Sequence, residues 1–356
     1  MKRNNYYFIK TFGCQMNVAD SERIAGWYEN RGWKPADKIE KADEAVINSC
    51  SVRQSAENRV FGLVNNLSKI KNKNPKFKII LTGCMLRYPL ADLRKKLPGV
   101  NEFKKISEFL LDSKFIIHNS SVHAYIPIME GCNNFCSYCV VPYARGREKS
   151  KPLKEILCEA KELVERGYRE ITLLGQNVNS YGKDSQISKS KSKTKNFKVP
   201  FAELLKELSK IEKLEKISFM TSNPWDLTDD IIETMSLPKI DRYLHLAVQS
   251  GNNEILKKMN RKYSAKDFLA LVKKIRQKIP EIKIGTDIIV GFPGESEKQF
   301  QETVALCRKI GFTKAYISLY SPRPGTGAFR LKDDVSYREK KRRWLILDRL
   351  INQHVF

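Results

Sequence analysis

The stretch AYIPIMEGCNNFCSYC, residues 124–139, decides how this chain reads. An apolar run, Tyr125–Met129, has the composition of a buried strand. It breaks at Gly131 and delivers Cys132, Cys136 and Cys139 in the spacing Cys-x3-Cys-x2-Cys. A structural zinc site takes four ligands and is closed. Three thiolates set this tightly in sequence grip three corners of a 4Fe-4S cube and leave one iron open for chemistry. An open iron can chelate the amino and carboxylate groups of S-adenosylmethionine (SAM) and split it reductively, so the motif predicts a radical reaction with these three cysteines at its centre.

Outward from that motif the pattern repeats. Strand-like runs at Glu170–Leu174, Lys216–Met220, Tyr243–Val248, Lys283–Val290 and Lys314–Tyr320 each end in polar or glycine-rich residues, and helical periodicities such as Leu153–Arg166 separate most of them. With Tyr125–Met129 this gives six strands. They predict a (β/α)6 partial TIM barrel whose site lies at the carboxyl ends of the strands. The strand ends are Gly175-Gln176-Asn177, Thr221-Ser222-Asn223, Gln249-Ser250-Gly251 and Gly291-Phe292-Pro293-Gly294. Gly175, Gln176 and Asn177 offer a close backbone and two amides to the amino-acid end of the cofactor, with Gln249 at the neighbouring strand end. Gly291, Pro293 and Gly294 form a backbone wall beside the cofactor, since no Lys-Ser/Thr follows as in a phosphate-binding loop. Tyr138, between two cysteines, presents an aromatic face to an adenine. Arg145 and Arg147 suit a phosphate or a carboxylate and are the candidate substrate contacts.

The amino-terminal part alternates separately. Strand-like Tyr6–Thr11, Ala45–Asn48 and Lys78–Thr82 are followed by helical Val18–Arg31, Val52–Lys71 and Leu86–Leu97, which predicts an α/β open parallel sheet of flavodoxin or Rossmann type. Cys14, Cys50 and Cys84 each follow one of these strands, 36 and 34 residues apart. Ligands in such sheets bind at the carboxyl ends, so the three cysteines converge on a second metal cluster; the plainer alternative is three unrelated buried thiols. The expected domains are residues 4–118, carrying the auxiliary 4Fe-4S cluster, and 119–350, the radical core, with the boundary near His118–His123.

Bulk properties narrow the setting. The chain has 356 residues and a formal charge of +25, which favours a polyanionic partner, with nucleic acid first. Part of that charge lies in a Ser/Lys-rich loop, Lys183–Lys198. No apolar run approaches a membrane span and no signal-peptide core is present, so the expected location is the cytoplasm. A reducing cytosol makes clustered cysteines metal ligands rather than disulfides. Cys158 and Cys307, in helical patterns, are expected as small buried residues. The four histidines have no ligand spacing, and none is assigned to metal.

Thr11-Phe-Gly-Cys14-Gln-Met-Asn17, Asn48-Ser-Cys50-Ser-Val-Arg53, Gly83-Cys84-Met85, Gly131–Glu148, Leu174-Gly-Gln-Asn-Val-Asn179, Gln249-Ser-Gly251, Asp287–Glu295 and Ser321–Thr326 together resemble the radical SAM methylthiotransferases, from residue 6 to about 350. The wording of Thr11–Asn17, Cys132–Cys136 and Leu173–Asn179 is most similar to the MiaB group of tRNA enzymes. The resemblance implies two 4Fe-4S clusters and two SAM molecules, one a methyl donor and one a radical source. Cys14, Cys50 and Cys84 would hold the cluster that carries or donates sulfur. The substrate would be C2 of N6-(dimethylallyl)adenosine beside the tRNA anticodon, at position 37. It further implies a flavodoxin or ferredoxin as electron donor, and a monomer. Such enzymes usually end in a small β-barrel TRAM domain, expected here to be absent because the sequence stops at Phe356; Ala247 and Gly327 stand where proline is common. The competing expectations are a methylthiotransferase for another target, either threonylcarbamoyl-adenosine tRNA or a ribosomal protein, and a non-catalytic metal-containing RNA-binding protein.

Overall fold

The computed structural model describes residues 5–110, 122–184 and 199–353. They divide into two compact units, one of residues up to 110 together with Val140–Gly146, the other of the remainder. The expected boundary at His118–His123 and the loop Lys183–Lys198 lie largely outside the described residues. Val140–Gly146, expected with the radical core, is counted with the first unit.

The first unit is a five-stranded parallel sheet: β1 (Tyr6–Thr11), β2 (Lys34–Pro35), β3 (Glu44–Ser49), β4 (Lys78–Gly83) and β5 (Glu102–Phe103), in the order β2-β1-β3-β4-β5. Side chains alternate across a strand, and the core splits accordingly. Ala45, Ile47, Ile79 and Leu81 pack on one face with Val60, Val64 and Leu67 of the helix Gln54–Lys73. Val46 and Ile80 pack on the other with Ile24, Ala25 and Tyr28 of the helix Gln15–Glu29. A sheet covered on both faces needs strands that are apolar throughout, as in β3, where five of six residues are buried. The order is the flavodoxin-like one, in which ligands bind at the switch between β1 and β3.

Two expected elements shift. The first helix begins at Gln15 rather than Val18, which places Cys14 at its N-cap. The stretch expected as one helix over 86–97 divides into a 3-10 turn, Cys84–Arg87, and a helix, Leu90–Lys96. Pro89 lies between them and has no N–H to continue a helix.

The second unit carries β6 (His123–Pro127), a two-residue antiparallel clasp of β7 (Met129–Glu130) with β8 (Lys149–Ser150), then β9 (Glu170–Leu174), β10 (Lys216–Phe219), β11 (Tyr243–His245), β12 (Lys283–Val290) and β13 (Lys314–Leu319). Parallel sheets β6-β9-β10 and β11-β12-β13 are joined by parallel bridges Ile217↔Ile240 and Ser222↔Leu246. Six strands therefore run side by side in chain order with helices on the crossovers, the partial barrel expected. The strand expected over Tyr243–Val248 is regular only to His245, because Leu246 and Gln249 are held by single bridges to Ser222 and Ile288. Capping boxes Ser264/Asp267 and Ser296/Gln299 start the two long helices flanking β12. Among the described residues no helix is long and apolar enough to cross a membrane.

Candidate active site

The first unit gathers Cys14, Cys50 and Cys84 at the carboxyl ends of β1, β3 and β4. A buried amide pair ties their loops together. Asn17 Nδ2 donates to Asn48 Oδ1 at 3.0 Å and to the Ser49 carbonyl at 3.2 Å, while Asn48 Nδ2 donates to the Asn17 carbonyl at 2.8 Å. Ser49 Oγ donates to the Thr82 carbonyl and accepts from Met85 N. Gly83 has φ +87°, and a Cβ there would lie 2.5 Å from the Ser49 carbonyl oxygen, so only glycine lets β4 turn into Cys84. Beside the thiols, Arg87, Ser51, Glu57 and Tyr88 form a second buried network, with Arg87 Nε donating to Ser51 Oγ at 2.7 Å. Cys14 stands at the N-cap of a 15-residue helix.

The thiols sense one another. Burial pushes the Cys84 thiol up to about 11, Arg145 draws it down, and Cys50 and Cys14 push it up again. Burial likewise raises Cys50, with Cys14 adding to the rise. Arg145 itself donates from Nη2 to Asp20 Oδ2 at 2.6 Å, both side chains being under a tenth exposed. Arg145, a candidate substrate contact, thus has a carboxylate partner within the protein. Among the described residues no three His, Cys, Asp or Glu side chains are drawn together as around a single ion. A mononuclear site would put thiolates about 3.8 Å apart, from a metal–sulfur bond of about 2.3 Å in tetrahedral geometry. A cube takes them on separate corners, further apart. Three soft thiols on one rigid edge fit such a cluster.

In the second unit the β7/β8 clasp closes the base of the loop that carries Cys132, Cys136 and Cys139. The loop is pinned at several points. Ser137 Oγ donates to the Lys258 carbonyl at 2.7 Å, Ser137 N donates to the Met259 carbonyl, and Ala328 N donates to the Ser137 carbonyl at 2.6 Å. Asn260 Nδ2 donates to the Phe135 carbonyl at 3.0 Å. Phe135 holds φ +47°, a costly conformation for an aromatic residue, and the Arg147 guanidinium covers its ring at 4.5 Å. Asn133 N donates to Glu148 Oε1, and Glu148 N donates back to Asn133 Oδ1. Burial pushes the Cys132 thiol up to about 11, with Cys136 among the further causes. Cys139 N donates to the Cys136 carbonyl at 2.9 Å. Tyr138 packs beside Ile255, Met259, Phe292 and Tyr320.

The neighbouring strand ends hold buried polar atoms that nothing among the described residues satisfies: Gln176 Oε1, Asn177 Oδ1, Ser222 Oγ and Gln249 Oε1. Such atoms are rare in native proteins and mark places that a ligand completes. Asn177 is aimed by its Nδ2 donating to Asp226 Oδ2 at 2.6 Å. Thr221 and Gln249, at successive strand ends, hold φ +66° and +65°, strain of a kind that clusters at functional sites. These atoms fit a small polar molecule such as the amino-acid end of SAM. At the wall Gly291–Gly294 two backbone amides are tied to side chains. Gly291 N donates to Glu295 Oε2 and Gly294 N to Asp334 Oδ1, so both amides are taken. Cys158, expected to be buried, is exposed. Its helix buries Ile156, Ala160, Leu163 and Val164, and residue 158 faces away from that stripe. Cys307 is buried as expected.

Sequence reading assigned no site role to Asp20 or Arg261. Asp20 lies beside a recognised motif; Arg261 lies in Met259-Asn-Arg-Lys, which carries no motif that points to a cluster.

Residues 126–307 match the Radical SAM superfamily, and residues 6–132 match the uncharacterized protein family UPF0004. The tRNA-2-methylthio-N(6)-dimethylallyladenosine synthase of Thermoanaerobacter sp. (strain X514) is 43% identical over 98% of this chain and 78% of its own length. The chain belongs to the radical SAM methylthiotransferases. A second member of that family, the synthase of the same name from Clostridium botulinum (strain Langeland), is 42% identical over 98% of this chain and 81% of its own. Among solved structures, the radical SAM methyltransferase TsrM from Kitasatospora setae aligns with a TM-score of 0.64 at 14% identity, covering 92% of this chain and 77% of that one. At that identity the likeness shows a shared fold.

Proposed function

We propose that this chain transfers a methylthio group to C2 of N6-(dimethylallyl)adenosine beside the anticodon of tRNA. The observation that carries the reading is the pair of three-thiol sites, one in each unit, both at the carboxyl-end edge of a parallel sheet. The chain is a radical SAM transferase whose cofactors are SAM and two 4Fe-4S clusters. When bound, these supply a radical able to remove the C2 hydrogen, which is too weakly acidic for a general base, and the methylthio group that replaces it.

The protein's own residues bind, orient and exclude water. Cys132, Cys136 and Cys139 hold the reactive cluster on a loop clamped by Ser137, Asn260 and the β7/β8 clasp. Gln176, Asn177 and Gln249 present their unsatisfied oxygens to the SAM ammonium, with Gly175 giving close backbone approach and Tyr138 an apolar wall. Gly291, Pro293 and Gly294 shape that wall through the Glu295 and Asp334 ties. Cys14, Cys50 and Cys84 hold the sulfur-supplying cluster. Residues 4–118 form the domain for that cluster and 119–350 the radical core. Exposed Arg147 serves the RNA; Arg145, already paired with Asp20, serves the auxiliary site. The surplus of positive charge suits the tRNA backbone. The working form is a cytoplasmic monomer that receives electrons from a flavodoxin or ferredoxin.

The test joins two measurements on anaerobically reconstituted protein. Iron should reach about eight atoms per chain, four for each cluster. Nucleosides of tRNA bearing N6-(dimethylallyl)adenosine should gain a methylthio group at C2. Product-free tRNA together with vigorous SAM cleavage would overturn the substrate, and about four irons would overturn the two-cluster reading.

A further inference from the structure

Arg261 is a buried cation that no carboxylate among the described residues neutralises. It is 8% exposed. Its Nη2 donates to the Ala247 carbonyl at 2.9 Å, its Nε to the Tyr263 hydroxyl at 3.2 Å, and its Nη1 to Cys136 Sγ at 3.5 Å. The guanidinium lies 4.6 Å from the centre of the Trp225 ring and 5.2 Å from that of Tyr263. A buried charge without a counter-charge is costly, and proteins keep one only where it is paired or faces a metal centre. Arg145 in the first unit shows the contrast: it also reaches a cluster cysteine, but Asp20 at 2.6 Å cancels its charge.

The counter-charge that fits Arg261 is the cluster itself. A 4Fe-4S cube on three thiolates is anionic, and taking up an electron adds one further negative charge. A fixed cation at a ligand sulfur stabilises the reduced form more than the oxidised form. Hydrogen bonds to the sulfurs act on cluster potentials in the same sense.

We propose that Arg261 is the counter-charge of the cluster on Cys132, Cys136 and Cys139, raising its reduction potential so that a cellular one-electron donor can load it. This rests on the reading that those cysteines hold that cluster. One electron enters from the donor and no proton moves at Arg261. Trp225 and Tyr263 hold the guanidinium in place, and Ala247 fixes its far side, so that Nη1 is left for Cys136.

The test uses the full-length chain with Cys14→Ala, Cys50→Ala and Cys84→Ala, which leaves one cluster to observe. Its potential is followed by a redox titration read by electron paramagnetic resonance. Arg261→Gln should keep its iron and shift the midpoint to more negative potential, and Arg261→Lys should return it most of the way towards the parent. An unchanged midpoint in the Gln variant at full iron content would overturn the proposal, leaving Arg261 a packing residue. Iron lost equally from the Gln and Lys variants would overturn it too, since charge alone would then not suffice. Iron lost from Gln but kept by Lys would support it. A parent that holds no iron at all would instead overturn the assignment of the cluster to these cysteines, and the proposal with it.

Discussion

Asp20→Ala should loosen the first unit far more than its single lost hydrogen bond suggests. Asp20 and Arg145 meet at 2.6 Å with side chains 4% and 7% exposed. Removing one member of such a buried pair leaves the other as an uncompensated charge, a loss of about 3–5 kcal/mol. An exposed pair such as Lys210–Glu207, with side chains 70% and 34% exposed, contributes about 1 kcal/mol at most. Each 1.36 kcal/mol is about tenfold in an equilibrium constant. Cooperative opening of the first unit should therefore become roughly two to nearly four decades more frequent. Amide hydrogen exchange read on peptides resolves this by region. Peptides from Gln15–Glu29 and Glu44–Ser49 should exchange faster by that factor in the cluster-free protein, while those from Lys283–Val290 keep their protection. Asp20→Asn combined with Arg145→Gln should recover most of the loss, because neither charge is then stranded. A rise of less than tenfold in the Asp20→Ala chain would refute the reasoning, showing that water reaches the pair and screens it.

Two more outcomes are expected. Gln249→Gly removes a strained left-handed side chain and an unsatisfied buried oxygen at one stroke, so thermal stability should rise by about 1 kcal/mol while SAM binding, followed calorimetrically on the cluster-loaded chain, weakens; undiminished binding would remove Gln249 from the cofactor site. The Cys307 thiol is raised by burial alone from 9.0 to about 12. The folded state therefore holds its proton where the unfolded state has released it, and its contribution, complete below pH 9, declines as pH rises towards 12. The slope approaches about 1.4 kcal/mol per pH unit. Denaturant unfolding of wild type and of Cys307→Val between pH 9 and 10.5 should diverge in that sense, and parallel curves would show the thiol to be hydrated.

Much of the fold lies in short-range pattern. Continuous apolar runs in β3 and β4 and the helical spacing of Val60, Val64 and Leu67 identify elements before any packing is known, because strand and helix patterns are local. Strand order follows less directly, yet placing Cys14, Cys50 and Cys84 after successive strands already brings them to one edge. Local reasoning fails where helix phase is ambiguous. Cys158 sits among apolar neighbours in sequence, but the helix turns it to solvent; Pro89 divides what reads as one helix.

The cysteine spacings, the two sheets and the strand-end motifs are therefore determined by the sequence itself, since each depends on residues a few positions apart. Only the tertiary structure decides which charges the sites contain. Asp20 and Arg145 are 125 residues apart, as are Cys136 and Arg261. Arginines in a basic chain carry no local mark that separates a solvated one from a buried one. Folding removes water from these two and leaves one cancelled by a carboxylate and the other facing a thiol. That difference arises from desolvation, which depends on the whole fold and not on any stretch of it.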